Sequence, residues 1–440
     1  MRPRELLWLL PALALYVVVV VAFATDKLVG DEGRYLDYAG NLTHGYFTTR
    51  EELNLWSGPG YPLFILPFVA AGAPLLVIKL LNAPLVFVGI CFMYATARQY
   101  AGRRSSLLYA WLLAIYPTFS RHLPYVLTEA LALALICCGT YCLSRWYRTP
   151  RPIWLIVAAV VFAYLALTKI FFGWMLMAGS VVFLLLALIR PLRPLWRLGV
   201  VLALALALCT PYLAYTYWLT GKPFMWGNSG GLSFYFMTTP YPNEYGDWWG
   251  AQDPLKDPRL GRHKPLFEEL EKLDPIERDT RLKQEAIKNI RRHPAKFLEN
   301  WAMNVTRMLF SYPHSYTLQR PSTFFYLLPN MLVVSLMLFL IYPTIVGRRL
   351  IPPEVFAILA LGGVAFGGTS LLSAFGRLFA LCLPMLAPWM LVTLVRVVRV
   401  RVVTRAPANE GRLETSAPVG TSMGLEVKGK ASVADANGED

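Results

Sequence analysis

Charge is scarce in this chain. Only 16% of its 440 residues are Asp, Glu, Lys or Arg, against about a quarter in soluble domains. With 56% of residues hydrophobic, a soluble core is excluded as the main architecture. Histidine is scarcer still: the five present are scattered without ligand spacing. The six cysteines, Cys91, Cys137, Cys138, Cys142, Cys209 and Cys382, all fall inside apolar stretches, so no disulfide framework is expected. Cys138 and Cys142 lie one helical turn apart, but a metal site needs more ligands than one pair. Walker A, Rossmann and HExxH signatures are absent from the sequence. Neither ATP nor NAD is implied, and no cofactor or metal is expected.

What is abundant is apolar sequence in runs of about twenty residues, each enough to cross a hydrocarbon core about 30 Å thick. The net charge of +15 does not point to nucleic acid, because of where it sits. The basic residues cluster between apolar runs: Arg2 and Arg4; Arg98, Arg103 and Arg104; Arg145, Arg148 and Arg151; Arg190, Arg193 and Arg197; Arg348 and Arg349; Arg396, Arg399 and Arg401. That distribution is the positive-inside signal of a multi-pass membrane protein.

Placing these clusters in the cytoplasm predicts an all-α membrane protein of about ten spans. They cover 6–24, 75–97, 106–121, 124–144, 153–168, 171–189, 196–218, 323–346, 353–372 and 378–398. The first is expected to stay uncleaved, although Ala22-Phe23-Ala24 resembles a signal-peptidase site. The stretch 61–73, split by Pro62 and Pro67, is too short to cross and reads as re-entrant or interfacial. Four regions follow: an N-terminal membrane module 1–218 with an outer loop 25–60, an outer segment 219–322, C-terminal helices 323–404, and a disordered cytoplasmic tail 405–440. Both termini are then cytoplasmic.

Helical spacing of Tyr35, Leu36, Tyr38, Ala39 and Leu42 predicts a surface helix after Asp31. Asp31 is thereby a candidate N-cap. The outer segment divides into an irregular Gly-, Pro- and aromatic-rich part, 221–265, and two helices over Pro275–Arg292 and Pro294–Phe310. Asn41-Leu42-Thr43 and Asn304-Val305-Thr306 match the glycosylation sequon, a pattern that arises by chance and matters only in a eukaryotic secretory host.

Several charges fall where a membrane should exclude them. Glu129 lies near the outer end of one span, Lys169 at the outer junction of two others, Arg377 at the start of the last, and Lys79 in the outer half of the second. An ionisable residue at such a depth is a functional hypothesis by default. Lys79 could instead snorkel to the interface, and Arg377 could pair with a lipid headgroup. With the acidic pair Asp31-Glu32 they form a two-sided set. Carboxylates can bind and deprotonate a hydroxyl, and cations can hold an anionic lipid headgroup.

These residues resemble motifs of the GT-C superfamily of membrane glycosyltransferases. The chain is most similar to bacterial relatives of the protein O-mannosyltransferases (glycosyltransferase family 39) and of the lipid A aminoarabinose transferase. Gly30-Asp31-Glu32-Gly33-Arg34-Tyr35 resembles the acidic motif of the first outer loop, and Ser57-Gly58-Pro59-Gly60-Tyr61-Pro62 the turn that ends it. Thr128-Glu129 resembles the acidic position of the fourth span, and Glu277–Phe310 the helix pair before the later spans. Gly376-Arg377-Leu378-Phe379 resembles the Arg-Tyr motif, without a tyrosine beside the arginine. The resemblance implies a GT-C fold and an inverting transfer from a polyprenyl-phosphate sugar to a hydroxyl of an envelope acceptor, on the outer face of the bacterial inner membrane. It implies Asp31 as general base with Glu32 beside it. Arg377, Lys169 and Lys79 would hold the donor phosphate, and Glu129, Tyr35 and Tyr61 would position substrate. Two rivals share the charged set: a flippase or transporter for lipid-linked sugar, and a glycan ligase using a diphosphate carrier.

Overall fold

A computed structural model describes residues 3–317, 323–403 and 422–427. The apolar runs become helices, and proline sets many of their limits. In chain order these are α1 (Leu10–Phe23), α2 (Glu32–Thr43), α3 (Gly60–Ala70), α4 (Leu75–Leu80), α5 (Asn82–Ala97), α6 (Arg103–Ala114) and α7 (Pro117–Arg121). There follow α8 (Glu129–Arg148), α9 (Pro152–Thr168), α10 (Phe171–Leu186), α11 (Trp196–Leu208), α12 (Thr210–Thr220), α13 (Gly230–Met237) and α14 (Lys264–Leu270). The last five are α15 (Pro275–Arg292), α16 (Pro294–Phe310), α17 (Phe324–Val346), α18 (Pro353–Ser370) and α19 (Gly376–Arg396).

Among the described residues, seven helical stretches are long and apolar enough to cross a membrane. The shorter apolar helices α9 and α10 match two more of the expected spans. The expected span 106–121 is instead two pieces, α6 and α7, broken before Pro117. Proline disfavours helical backbone at the preceding residue, and Tyr116 is extended there. The expected span 196–218 bends at Cys209 into α11 and α12, where Pro211 enters the first turn of the second piece. α3, only 11 residues long, remains too short to cross and packs against the surface helix α2.

Among the described residues the fold is helical apart from one ribbon. Val398–Val403 (β1) pairs antiparallel with Ser422–Val427 (β2). The last apolar helix ends before this ribbon, at Arg396. The Val-Arg alternation of residues 398–402 carries the two-residue period of a strand. The rest of the expected tail lies outside the described residues.

α8 and α19 are the most deeply buried of the long helices. Small residues bring their neighbours close: Gly89 lies against Ala134, Gly139 against the Phe162 ring, and Gly362 against Met385. Close approach through small residues is how helices associate where lipid supplies no hydrophobic drive.

The basic clusters converge at one end of this bundle. Arg98 meets Glu5 at 3.4 Å, Arg148 donates to the Gln99 carbonyl at 2.6 Å, and Arg197 to the Tyr147 carbonyl at 2.7 Å. Arg396 lies 5.8 Å from the Tyr100 ring. Glu129 and Arg377 stand at the other ends of the helices that carry Arg148 and Arg396. A 20-residue helix such as α8 is about 30 Å long, so the two charge sets are a membrane's thickness apart.

Candidate active site

Gly30 takes φ +61° to turn the chain into α2, a backbone angle that glycine adopts without steric cost. Asp31 follows at the N-cap position, yet its side chain makes no capping hydrogen bond. By contrast, Asp274 caps α15 by accepting from the Ile276 and Glu277 amides at 2.7 and 3.0 Å. The Asp31 carboxylate turns to side chains instead. Its Oδ1 accepts from Arg34 at 2.5 Å, and its Oδ2 lies 4.0 Å from Arg377. Oδ2 therefore has no close hydrogen-bond donor, and the side chain is 36% exposed, facing the cavity.

Glu32 goes the other way. It is fully buried and accepts from the Val29 amide at 2.8 Å and the Val126 amide at 2.7 Å. Lys79, also buried, meets it at 3.3 Å and donates to the Thr25 carbonyl at 2.8 Å. Neither residue lines the cavity. This buried pair ties the start of α2 to α4 and to the loop before α8. Lys79, expected at the donor phosphate, is buried against Glu32 and stands outside the cavity lining.

Glu129 begins α8 and Lys169 ends α9; their side chains pair at 2.9 Å. Arg377, in the first turn of α19, reaches Glu129 at 3.4 Å and leans toward Asp31 at 4.0 Å. Arg377 thus bridges the two carboxylates. Glu129 sits behind its cations, outside the cavity lining, whereas Lys169 and Arg377 line it. Tyr35 lines the cavity at its α2 side, and buried Tyr61 packs edge-on against it with centroids 5.3 Å apart. Burial raises the Tyr35 hydroxyl above its ordinary pKa, which keeps it a neutral hydrogen-bonding group.

Close backbone packing places these charges. A Cβ on Gly58 would lie 2.0 Å from the Leu167 carbonyl oxygen, two residues before Lys169. The turn 57–62 therefore seats directly on the end of α9. Asn82 donates to the Leu123 and Tyr125 carbonyls at 2.9 and 2.7 Å, fixing the loop that carries Arg121 to Glu129. Arg377 is set by a clamp from α16. Asn304 donates to the Ser370 and Leu372 carbonyls, both at 2.7 Å, and accepts from the Ala374 amide at 2.9 Å. Fully buried Arg307 donates to Asn304 at 2.6 Å and to the carbonyls of Tyr245 and Pro313 at 3.0 Å. Asn304 is thus structural, and its sequon is closed to modification.

Beyond the clamp lies a second polar layer. Glu244, buried, accepts from Thr239 and from the Tyr316 hydroxyl, and pairs with His263 at 3.0 Å. Asp247, also buried, accepts from the Ser315 amide at 3.0 Å and from its hydroxyl. Burial opposes the charge on Asp247, but nearby His314, Arg307 and the Ser315 hydrogen bonds hold its carboxyl below the usual range.

All of this surrounds one cavity of about 1430 Å³, larger than an ordinary small-molecule pocket of roughly 300–1,000 Å³. Five cations line it (Arg34, Arg121, Lys169, Lys283 and Arg377) against two carboxylates, Asp31 and Asp247. Such a surplus favours an anionic ligand. One wall is apolar, with Phe171, Trp174 and Met175 of α10 facing Val364 and Leu371. Trp56, Trp248 and Trp249 also line the cavity. Arg34, Arg121, His122, Asp247 and Lys283 were not among the sequence-derived site residues. Arg121 carried a usable signal, since a basic residue in a short loop on the outer side runs against the positive-inside rule.

Residues 58–215 match the family model of dolichyl-phosphate-mannose-protein mannosyltransferase. No curated protein matches the chain. Among solved structures, ArnT from Cupriavidus metallidurans bound to undecaprenyl phosphate is 16% identical, with a TM-score of 0.42 over 88% of this chain and 76% of that one. The oligosaccharyltransferase of Archaeoglobus fulgidus, tethered to an acceptor peptide, is 13% identical, with a TM-score of 0.51 over 90% of this chain. The present chain spans 50% of that protein's length. Residues 58–215 are thus similar to a mannosyltransferase family, and the helical fold of the whole chain is similar to that of a membrane oligosaccharyltransferase.

Proposed function

We propose that the chain is an inverting glycosyltransferase. It moves a sugar from a polyprenyl-phosphate carrier to a hydroxyl of a cell-envelope lipid, glycan or protein, on the outer face of the bacterial inner membrane. The observation that carries this reading is Asp31, a cavity-facing carboxylate with one oxygen free of close donors, set against a cationic wall. The matched family's description names a polyprenyl-phosphate sugar of this kind. The gathering of basic clusters at the opposite end of the bundle supports an outward-facing site by the positive-inside rule.

In the proposed step the acceptor hydroxyl oxygen attacks the anomeric carbon. Its proton passes to Asp31 Oδ2, the new C–O bond forms, and the bond from carbon to phosphate oxygen breaks. The electron pair leaves with the polyprenyl phosphate. Positioned proton transfer contributes about 10²–10⁴-fold. Arg377 and Lys169 stabilise the departing phosphate, an electrostatic effect that is usually large in a water-poor site. Glu129 keeps those two cations in place. A single accessible carboxylate in this cluster favours one displacement with inversion over a covalent glycosyl intermediate, which needs a second carboxylate at the reacting carbon. The apolar wall of α10 and α18 suits the carrier's tail.

The test uses a deletion strain. Mass spectrometry of its envelope glycans and lipids should reveal species lighter by one sugar. The wild-type gene should restore the mass and Asp31→Asn should not. Full restoration by Asp31→Asn would remove Asp31 as the base. An unchanged envelope in the deletion strain would overturn the transferase reading.

A further inference from the structure

We propose that Arg121 is the main seat of the donor's phosphate. This rests on the transferase reading above and names a residue which that reading does not use. Four of the five cations in the cavity already hold a carboxylate. Arg34 is 2.5 Å from Asp31, Lys169 is 2.9 Å from Glu129, and Lys283 is 2.6 Å from Asp279. Arg377 lies 3.4 Å from Glu129 and 4.0 Å from Asp31. Among the described residues, Arg121 alone of the five has no carboxylate within ion-pair distance. A phosphate arriving at the other four must share or displace a partner, whereas at Arg121 it displaces only water.

The geometry suits the task. The Arg121 guanidinium lies 4.9 Å from the Tyr326 ring centroid. Stacking on an aromatic face fixes the plane of a guanidinium and leaves its edge N–H groups open for two-point bonding to phosphate oxygens. The side chain is exposed within the cavity. Arg121 ends α7, and the chain just after it is fastened by Asn82 through the Leu123 and Tyr125 carbonyls, so the anchor is rigid. Arg377 and Lys169, already paired, are then left for the phosphate charge that grows as the sugar departs, while Arg121 supplies binding to donor and spent carrier alike.

The test is equilibrium binding to the purified full-length protein in detergent, with farnesyl phosphate and farnesol as probes. The wild type should bind farnesyl phosphate at least tenfold more tightly than farnesol. Arg121→Ala should weaken farnesyl phosphate binding at least tenfold and leave farnesol unchanged, with Arg121→Lys in between. Arg121→Gln serves if the alanine variant does not fold. A wild type that does not distinguish phosphate from alcohol would overturn the lipid-phosphate donor itself, and Arg121 with it. A normal wild-type preference that survives in Arg121→Ala and Arg121→Gln within twofold would overturn Arg121 alone. Displacement of farnesyl phosphate by an equal concentration of inorganic phosphate would show a free-anion site, and would also overturn the proposal.

Discussion

Glu32 and Lys79 meet at 3.3 Å with both side chains sealed from solvent, one residue away from the carboxylate that faces the cavity. Two adjacent acids thus have opposite fates. Successive residues at a helix start diverge by about 100°, so one turns inward to hold the scaffold while the other turns to the site.

Removing one partner of a buried pair leaves an uncompensated charge and costs about 3–5 kcal/mol. Glu32→Gln and Lys79→Met should each lower the melting temperature sharply, and the double variant should recover much of the loss. A Glu32→Gln protein with wild-type melting but no transfer would place Glu32 in the chemistry instead.

Arg377 stands between Asp31 and Glu129, so its loss should affect the step more than the binding. Arg377→Ala is expected to lower kcat by about 10²–10³, the cost typical of a lost transition-state donor, with a smaller change in acceptor KM. Steady-state kinetics with donor and acceptor varied separately decide this. A change confined to acceptor KM would move Arg377 to the acceptor side.

Gly58 has no room for a side chain, since a Cβ there would lie 2.0 Å from the Leu167 carbonyl oxygen. Overpacking of this kind typically costs about 1–3 kcal/mol. Gly58→Ala should lower the melting temperature and also reduce transfer, because the backbone that must move carries Lys169. Wild-type values for both would show that the turn does not set Lys169.

Glu244 and Asp247 have folded pKa values below their ordinary 4.5 and 3.8. For Glu244, burial is outweighed by hydrogen bonds from His263, Thr239 and Tyr316. A lowered carboxylate adds stability that is fully present above its unfolded value and is lost as pH falls through the folded one. Their contribution should therefore be constant above about pH 5 and shrink progressively as pH falls below the ordinary values toward the lowered folded ones. Melting curves across that range should show Glu244→Gln and Asp247→Asn less stable than wild type at neutral pH, with the gap closing in acid. A gap that widens in acid would reverse the assignment.

Much of the architecture was legible because apolar length and proline position are written locally. The helices Pro275–Arg292 and Pro294–Phe310 have the bounds that their prolines suggest. The breaks at Tyr116 and Cys209 also have prolines beside them, but apolar runs continue across both and hid them. The ribbon was hidden because its valines and arginines read equally well as a span end with a basic cluster. In the site, depth alone marked Glu129, Lys169, Arg377 and Lys79, and the acidic pair after the first span marked Asp31 and Glu32. The sequence could not separate cations that meet a carboxylate from one that does not, because the partners come from helices far apart in the chain. Lys79 was for that reason weighed without its buried partner Glu32, and Arg121 was passed over.

The α16 clamp bears on how this protein can be rebuilt. Asn304 and Arg307 hold the 370–374 backbone from the far end of the long segment between α12 and α17. That segment is therefore not an interchangeable module. A chimera that borrows residues 219–317 from a relative, in the hope of a new acceptor, must import the matching α18–α19 connection as well. Otherwise the borrowed part arrives without the seat that orients Arg377.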